Sequence, residues 1–294
     1  MPPQDSLYNL CQRWQASMPD ADSLSVALQD PAIVDRLPEQ LKIALESRYA
    51  TQHSNFVLYG LRHQLGLTPC PKETIFRRWA EHNPSSVSLL SSLSHKTHEL
   101  IEFANERRFV LGGSSDPEHN AHLLFDAMGE SRIALGGYLE DREFYREPQF
   151  FRGDEARSVH LGIDVFEHAE APVHAPYAGK VHSLAYNAKR LDYGATIILE
   201  HAMEDGLPFF TLYGHLSRES LTALAPGDRV SQGQAFCRLG APAENGGWVP
   251  HLHFQVILDM LDFEGDYPGA AFPSELALWR SLCPDPKQIV ALEI

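Results

Sequence analysis

Two short segments restrict this chain more than any other part of it. In Ser158–Phe166, the apolar residues Val159, Leu161, Ile163 and Val165 alternate with His160, Gly162 and Asp164. In Pro250–Leu258, Leu252, Phe254, Val256 and Leu258 alternate with His251, His253 and Gln255. Period-two alternation is the mark of a β-strand with one apolar face. Each segment is therefore expected to turn an apolar back to a core and a polar front to a cleft. Gly162 has no side chain, so His160 and Asp164 are free to converge on one point. His251 and His253, two residues apart, point into the same space. Neutral imidazole nitrogen and carboxylate oxygen are both zinc ligands. One polar-face histidine is ordinarily a solvent-facing side chain. Two such strands in one chain are not explained that way.

Thr211-Leu-Tyr-Gly-His-Leu-Ser217 lies between them. Gly214 brings the backbone close just before His215, an unligated imidazole suited to a base or an oxyanion donor. The chain holds 15 histidines, and most fit no such template. His168, His174, His182 and His201 are expected at the surface or rim. His95 with His98, and His119 with His122, are spaced three apart as on a helix face. Neither pair has a third ligand, so both read as surface polarity. No HExxH motif is present.

Around these strands the chain reads as α+β: a helical N-terminal region followed by an antiparallel β domain. Leu37–Gly66 has apolar residues at spacings of three and four, with Pro38 as a start signal and Gly66 as a stop. Shorter helices are expected over about 72–82 and 86–108. Another opens at Asp116-Pro117 and stops at Gly129. Beyond about residue 130 short apolar runs alternate with Gly, Pro and Asp, as in a β domain. Residues 134–158 are its lead-in. Val173–Val181 and Ala225–Gln234 each place glycine at a turn between short strands. The expected division is 1–130 helical, 131–270 β domain, and 271–294 a helix and tail packing back.

Asp and Glu total 39 against 24 Lys and Arg, a net charge of −15, and each half is acidic. This excludes a phosphate-tracking nucleic-acid binder and an anionic-membrane binder. No apolar run is long enough for membrane insertion. Cys11, Cys70, Cys237 and Cys283 are widely spaced and form no CxxC, so reduced thiols are expected. With no basic-then-apolar leader in MPPQDSLYNLCQRWQ, the expectation is a cytoplasmic protein. Oligomeric state is not encoded in these features.

HLGID (160–164), YGHLS (213–217) and PHLHFQV (250–256) resemble, in this order, the motifs of the M23 zinc metallopeptidases, the lysostaphin-like or LytM-like family. The intervening PVHAPYAGKV, DYGATIILEH and GDRVSQGQ are similar to the hairpins that link those motifs. The resemblance spans about 150–258. It implies an antiparallel sheet of duplicated hybrid type with an open groove. It implies one Zn2+ per chain held by His160, Asp164 and His253, with a water in the fourth position. His251 would be the base that deprotonates that water, and His215 would bind the oxyanion or share the proton work. Gln255, two beyond His253, is a candidate neighbour of the site, and both Gln255 and Trp248 are candidate substrate contacts. Substrates in the family are peptidoglycan cross-bridges or stem peptides, often cut at glycine-containing bonds. Ala202–Pro208, Asn187–Asp192 and Glu244–Trp248 would shape the groove rim.

Three other readings compete. VHLGID also resembles the active-site segment of sugar phosphotransferase IIA phosphocarriers, but there the V-x-A-P-x-x-G hairpin precedes that strand and here it follows. A lipoyl or biotin carrier needs an acceptor lysine at a hairpin tip, typically between methionines, and Lys180 has no flanking methionine. A catalytically silent, zinc-holding or peptide-binding scaffold satisfies the same motifs.

Overall fold

The computed structural model describes residues 54–64, 66–100, 116–142, 151–204, 206–290 and 292. Residues 38–53 of the expected long helix, 101–108 of the expected third helix, and 143–150 of the lead-in lie outside them. The chain divides into two compact units, residues 1–75 and 76–294. In the first, helix α1 (Ser54–Gln64) buries Phe56 and Tyr59. Gly66 follows it at φ +73°, the left-handed conformation that suits a helix stop. Helix α2 (Lys72–His82) occupies the range its sequence predicts.

The second unit is built on strands. In chain order they are β1 (Thr97–Leu100), β2 (Arg132–Gly136), β3 (Phe151–Arg152), β4 (Glu155–Ala156), β5 (Val159–His160), β6 (Ile163–Phe166), β7 (Pro172–His174), β8 (Gly179–Asn187), β9 (Gly194–Ala202), β10 (Pro208–Leu216), β11 (Arg229–Val230), β12 (Ala235–Arg238), β13 (His251–Ile257) and β14 (Ala270–Ala271). The main sheet runs β1-β2-β6-β13-β10-β9-β8-β11. Only the β1–β2 pair is parallel. The long strands β8, β9 and β10 form an antiparallel meander, and β13 joins β10 to β6.

Helix α3 (Pro117–Met128) has the cap its sequence predicts: Glu118 N donates to Asp116 Oδ1 at 3.1 Å, and Gly129 closes it at φ +62°. Its Ala121, Leu124 and Met128 enter a buried cluster with Ala134, Phe166, Leu191, Trp248 and Val249. This apolar burial seats the helix against β2 and the end of β6. Helix α4 (Leu276–Leu282) packs back as expected, with Leu258 N donating to Leu282 O at 2.9 Å. Among the described residues no helix is long and apolar enough to cross a membrane.

The structure departs from expectation in four places. Residues 86–100 do not form a helix. They run extended, pass through a short 3-10 turn at Ser91–Ser94, and end in β1 beside β2. Six serines between 85 and 94 favour local side-chain bonding over helix. Tertiary partners also take the backbone: Ser85 Oγ donates to Pro176 O, and His174 N to Leu89 O. Second, the Ser158–Phe166 segment is not one strand. It breaks at Leu161–Gly162, because β5 pairs with β14 while β6 enters the main sheet. Both faces of β6 are covered, so its polar residues do not face an open cleft.

Third, the two glycine-turn segments do not close their own hairpins. They pair with each other, β7 with β12 and β8 with β11. Lys180 thus lies in a paired strand, 3.0 Å from Glu200, and not at a hairpin tip. Fourth, His201 is buried, not at the rim. Its Nδ1 bonds Ala178 O, its Nε2 bonds Thr211 Oγ1, and its ring stacks on Phe209.

Burial holds the His201 pKa down at about 4, against an ordinary 6.5. Between those values the unfolded chain binds a proton that the folded chain refuses. Stability from neutral His201 is therefore complete above pH 6.5 and is lost as the pH falls toward 4. Urea unfolding across pH 7 to 4 should show the His201→Gln variant losing up to about 3 kcal/mol less than wild type. An equally steep profile in the variant overturns this account.

Candidate metal centre

The register of three strands sets the centre. His253 of β13 lies opposite Asp164 of β6 and opposite Gly214 of β10, and Gly136 of β2 lies beyond Asp164. A Cβ at Gly214 would sit 2.6 Å from the Tyr193 ring, so this glycine lets that ring pack beside His253. Gly162 does more. A Cβ there would sit 2.7 Å from His253 Cε1 and 2.7 Å from Phe254 O. The His253 ring therefore lies over the backbone at the β5–β6 break, and no side chain fits beneath it. His160 enters from β5, just before that break.

The structure brings His160, Asp164 and His253 together, with their ligand atoms within 4.8 Å of one another. His160 Nε2 is 3.0 Å from His253 Nδ1 and 3.3 Å from Asp164 Oδ1. His253 Nδ1 is 3.1 Å from the same oxygen. The far side of each ring fixes its tautomer. His160 Nδ1 faces Gly137 O at 2.8 Å, a group that only accepts, so Nδ1 carries the proton and Nε2 the lone pair. Gln255 Nε2 donates to Pro268 O, which turns its Oε1 to His253 Nε2 at 3.0 Å. His253 therefore donates from Nε2 and keeps its Nδ1 lone pair. Burial, then the Arg142 charge, holds the His160 pKa down at about 4. Two imidazole lone pairs and a carboxylate oxygen thus face one point inside the protein. Such a set is repulsive by itself and is satisfied by a cation. Its His₂Asp donor set fits zinc.

Asp164 is buried at 2% exposure. Burial alone would raise its pKa, but Arg142, then His160 and His251, hold it well below the usual carboxylate range. Arg142 Nη1 lies 2.6 Å from Asp164 Oδ2.

His251 and His215 stand beside this set with their rings 4.2 Å apart. His251 Nδ1 donates to Val249 O at 2.7 Å, and its Nε2 faces Asp164 Oδ1 at 3.9 Å. His215 Nδ1 donates to Asn245 O at 2.9 Å. Each Nε2 is thereby an acceptor. Burial lowers both pKa values, and His215, also beside His251 and His253, is held well below the ordinary value. His215 takes φ +62° at the irregularity between Tyr213 and Leu216. A left-handed backbone is unfavourable for a side-chain-bearing residue and persists only where its surroundings fix it. Here His215 N donates to Tyr193 O, and Gly240 N donates to His215 O.

Trp248 lies behind these two histidines, its ring centroid 6.0 Å from that of His215 and 6.3 Å from that of His251. It is buried in the α3 cluster, and its indole N–H donates to Asp192 O. His95, His119 and His122 are exposed, and His98 bonds Leu93 O. Neither helix-spaced pair joins a metal-type group among the described residues.

Sequence reasoning did not single out Gly137, Arg142 or Asn245. Asn245 carries no motif, yet it is fully buried and ties its loop together through bonds to Gly240 O, Trp248 O and Trp248 N. Its own carbonyl then fixes His215. Arg142 lies in the lead-in, where it is one of several charges in a mixed segment.

Residues 158–262 match the model of peptidase family M23. No curated protein matches the chain. Among solved structures, a zinc-containing peptidase from Vibrio cholerae is 29% identical over 34% of this chain, with a TM-score of 0.28. The match spans 27% of that peptidase, so this chain corresponds to about a quarter of its length. The catalytic domain of the antimicrobial peptidase lysostaphin from Staphylococcus simulans is 25% identical, covering 41% of this chain and 80% of that one, with a TM-score of 0.29. The catalytic domain of a mutant of the prophage-encoded M23 protein EnpA from Enterococcus faecalis is 21% identical, covering 42% of this chain and 82% of that one, also with a TM-score of 0.29.

A methyl group at Gly162 must displace the His253 ring or the β13 backbone. Gly162→Ala should therefore cost about 1–3 kcal/mol of stability in chelator-treated protein. A thermal melt superimposable on wild type would show that β6 and β13 part without strain.

Proposed function

Residues 158–262 match the model of peptidase family M23, and on that match we propose that the chain is a zinc-dependent metallo-endopeptidase. The observation that carries the reading is the convergence of three lone-pair donors, His160 Nε2, Asp164 Oδ1 and His253 Nδ1, beside two further imidazoles. Bound there, zinc would polarise a scissile carbonyl and lower the pKa of water to about 7.

The remaining work falls to residues whose geometry is fixed. His251 presents an acceptor Nε2 toward the centre, held by Val249 O. Its Nε2 is the acceptor that faces the carboxylate of the donor set, which places it to act as the base. It takes the proton of the attacking water and returns it to the leaving amine. His215, with Nδ1 committed to Asn245 O, keeps an acceptor Nε2 beside His251 and shares the proton work there. Gln255 fixes the tautomer of His253, and Trp248 forms a wall behind the two proton-handling histidines.

The substrate class follows from the family and from the tightness of the site. His251 and His215 expose only 4% and 6% of their surface, with the rings of Phe166, Tyr193 and Trp248 packed about them. Side chains enclosed this closely favour an extended peptide with small residues at the scissile bond. Glycine-containing and peptidoglycan-type peptides are the class we propose.

Elemental analysis should find about one zinc per chain in wild type and none in His253→Ala. His251→Ala should keep its zinc but lose about 10²–10⁴-fold in turnover on glycine-rich peptides. A chelator should abolish activity, and added zinc should restore it. Zinc retained in His253→Ala would refute the ligand assignment. Zinc bound by wild type without hydrolysis of any such peptide would favour the silent scaffold.

A further inference from the structure

Segment 137–142 precedes the family-matched region, yet it is stitched to a residue of the metal centre. Leu139 N donates to His160 O at 2.8 Å, His160 N to Glu140 O at 2.9 Å, and Arg142 N to Ser158 O at 2.9 Å. Gly137 O takes the His160 Nδ1 proton. At its end Arg142, 2% exposed, reaches Asp164. Its Nη1 bonds Oδ2 at 2.6 Å, and its Nε bonds Glu140 Oε2 at 3.1 Å. The two carboxylate oxygens of Asp164 are therefore divided. Oδ2 belongs to the guanidinium, and Oδ1 faces the two imidazoles.

We propose that Arg142 is a positioning residue for the metal centre: it holds Asp164 to one-oxygen ligation and fixes the carboxylate in the orientation that closes the His–Asp–His set. The proposal rests on the zinc reading above. A buried carboxylate with one oxygen unheld is free to rotate and to offer both oxygens to a cation. Removing the guanidinium would therefore lower affinity and raise the coordination number together. Glu140 holds Arg142 in turn, so its loss acts in the same direction and more weakly.

The test uses the full chain. Zinc affinity is measured by competition with a chromophoric chelator for wild type, Arg142→Met, Arg142→Lys and Glu140→Gln. Each protein is also loaded with Co2+ and its visible spectrum recorded, because cobalt absorbs more weakly when coordination rises above four. Arg142→Met is expected to lose about 10–100-fold in zinc affinity with a weakened cobalt band. Arg142→Lys, which keeps the charge but not the fork, should lie between it and wild type. Should Arg142→Met fail to fold, the lysine variant and Glu140→Gln carry the test, with smaller losses in the same direction. Wild-type affinity and an unchanged cobalt spectrum in every folded variant overturn the proposal while leaving the zinc peptidase reading intact. Absence of zinc from wild type itself overturns both.

Discussion

Asp164 is a carboxylate with almost no water around it, and much of the second unit serves to keep it charged. An ionised side chain in that setting is tolerable only when paired and hydrogen-bonded. The pairing comes from Arg142 on one oxygen and from the imidazole cluster on the other. Neither partner alone suffices. The guanidinium offsets the charge, and the imidazoles leave lone pairs that call for a cation. A cation held there would satisfy those lone pairs, and its affinity would then be linked to the stability of the surrounding fold.

Placement of these groups is a backbone problem before it is a side-chain problem. The row Gly136, Asp164, His253 and Gly214 crosses four adjacent strands in register. A slip of one residue in β13 would send His251 and His253 to the opposite face. Main-chain carbonyls then finish the work. Gly137, Val249 and Asn245 each take one imidazole proton, which turns the second nitrogen of that ring inward as an acceptor. Tautomers fixed this way owe nothing to solvent and so persist in a buried site. The left-handed His215 and the buried Asn245 belong to the same device, which spends local strain and polar burial to aim one ring.

The centre was legible because its residues sit on alternating strands and carry metal-binding atoms. Period two alone put His160 with Asp164 and His251 with His253, and the structure preserves both juxtapositions despite the break at Leu161–Gly162. The supporting shell was not legible. A backbone carbonyl such as Gly137 O has no sequence signature, and Arg142 looks like any other charge in a mixed segment. The 86–100 region misled for a related reason. Its leucines recur at helical spacing, but its serines and its bonds to Pro176 and to β7 draw it into extended structure. The glycine turns were legible as turns, whereas their partners were not, since β7–β12 and β8–β11 join segments about fifty or more residues apart.

By itself the sequence determined the donor atoms, the strands that carry them, the capped helix α3 and the order of the three motifs. These are local matters, fixed by side-chain chemistry and by the periodicity of strand and helix. Tertiary structure alone decided that the site is buried, that Asp164 shares itself between Arg142 and the imidazoles, and which nitrogen of each histidine faces inward. Those properties arise from atoms distant in the chain brought within hydrogen-bond reach, and from the loss of water that makes each such contact matter.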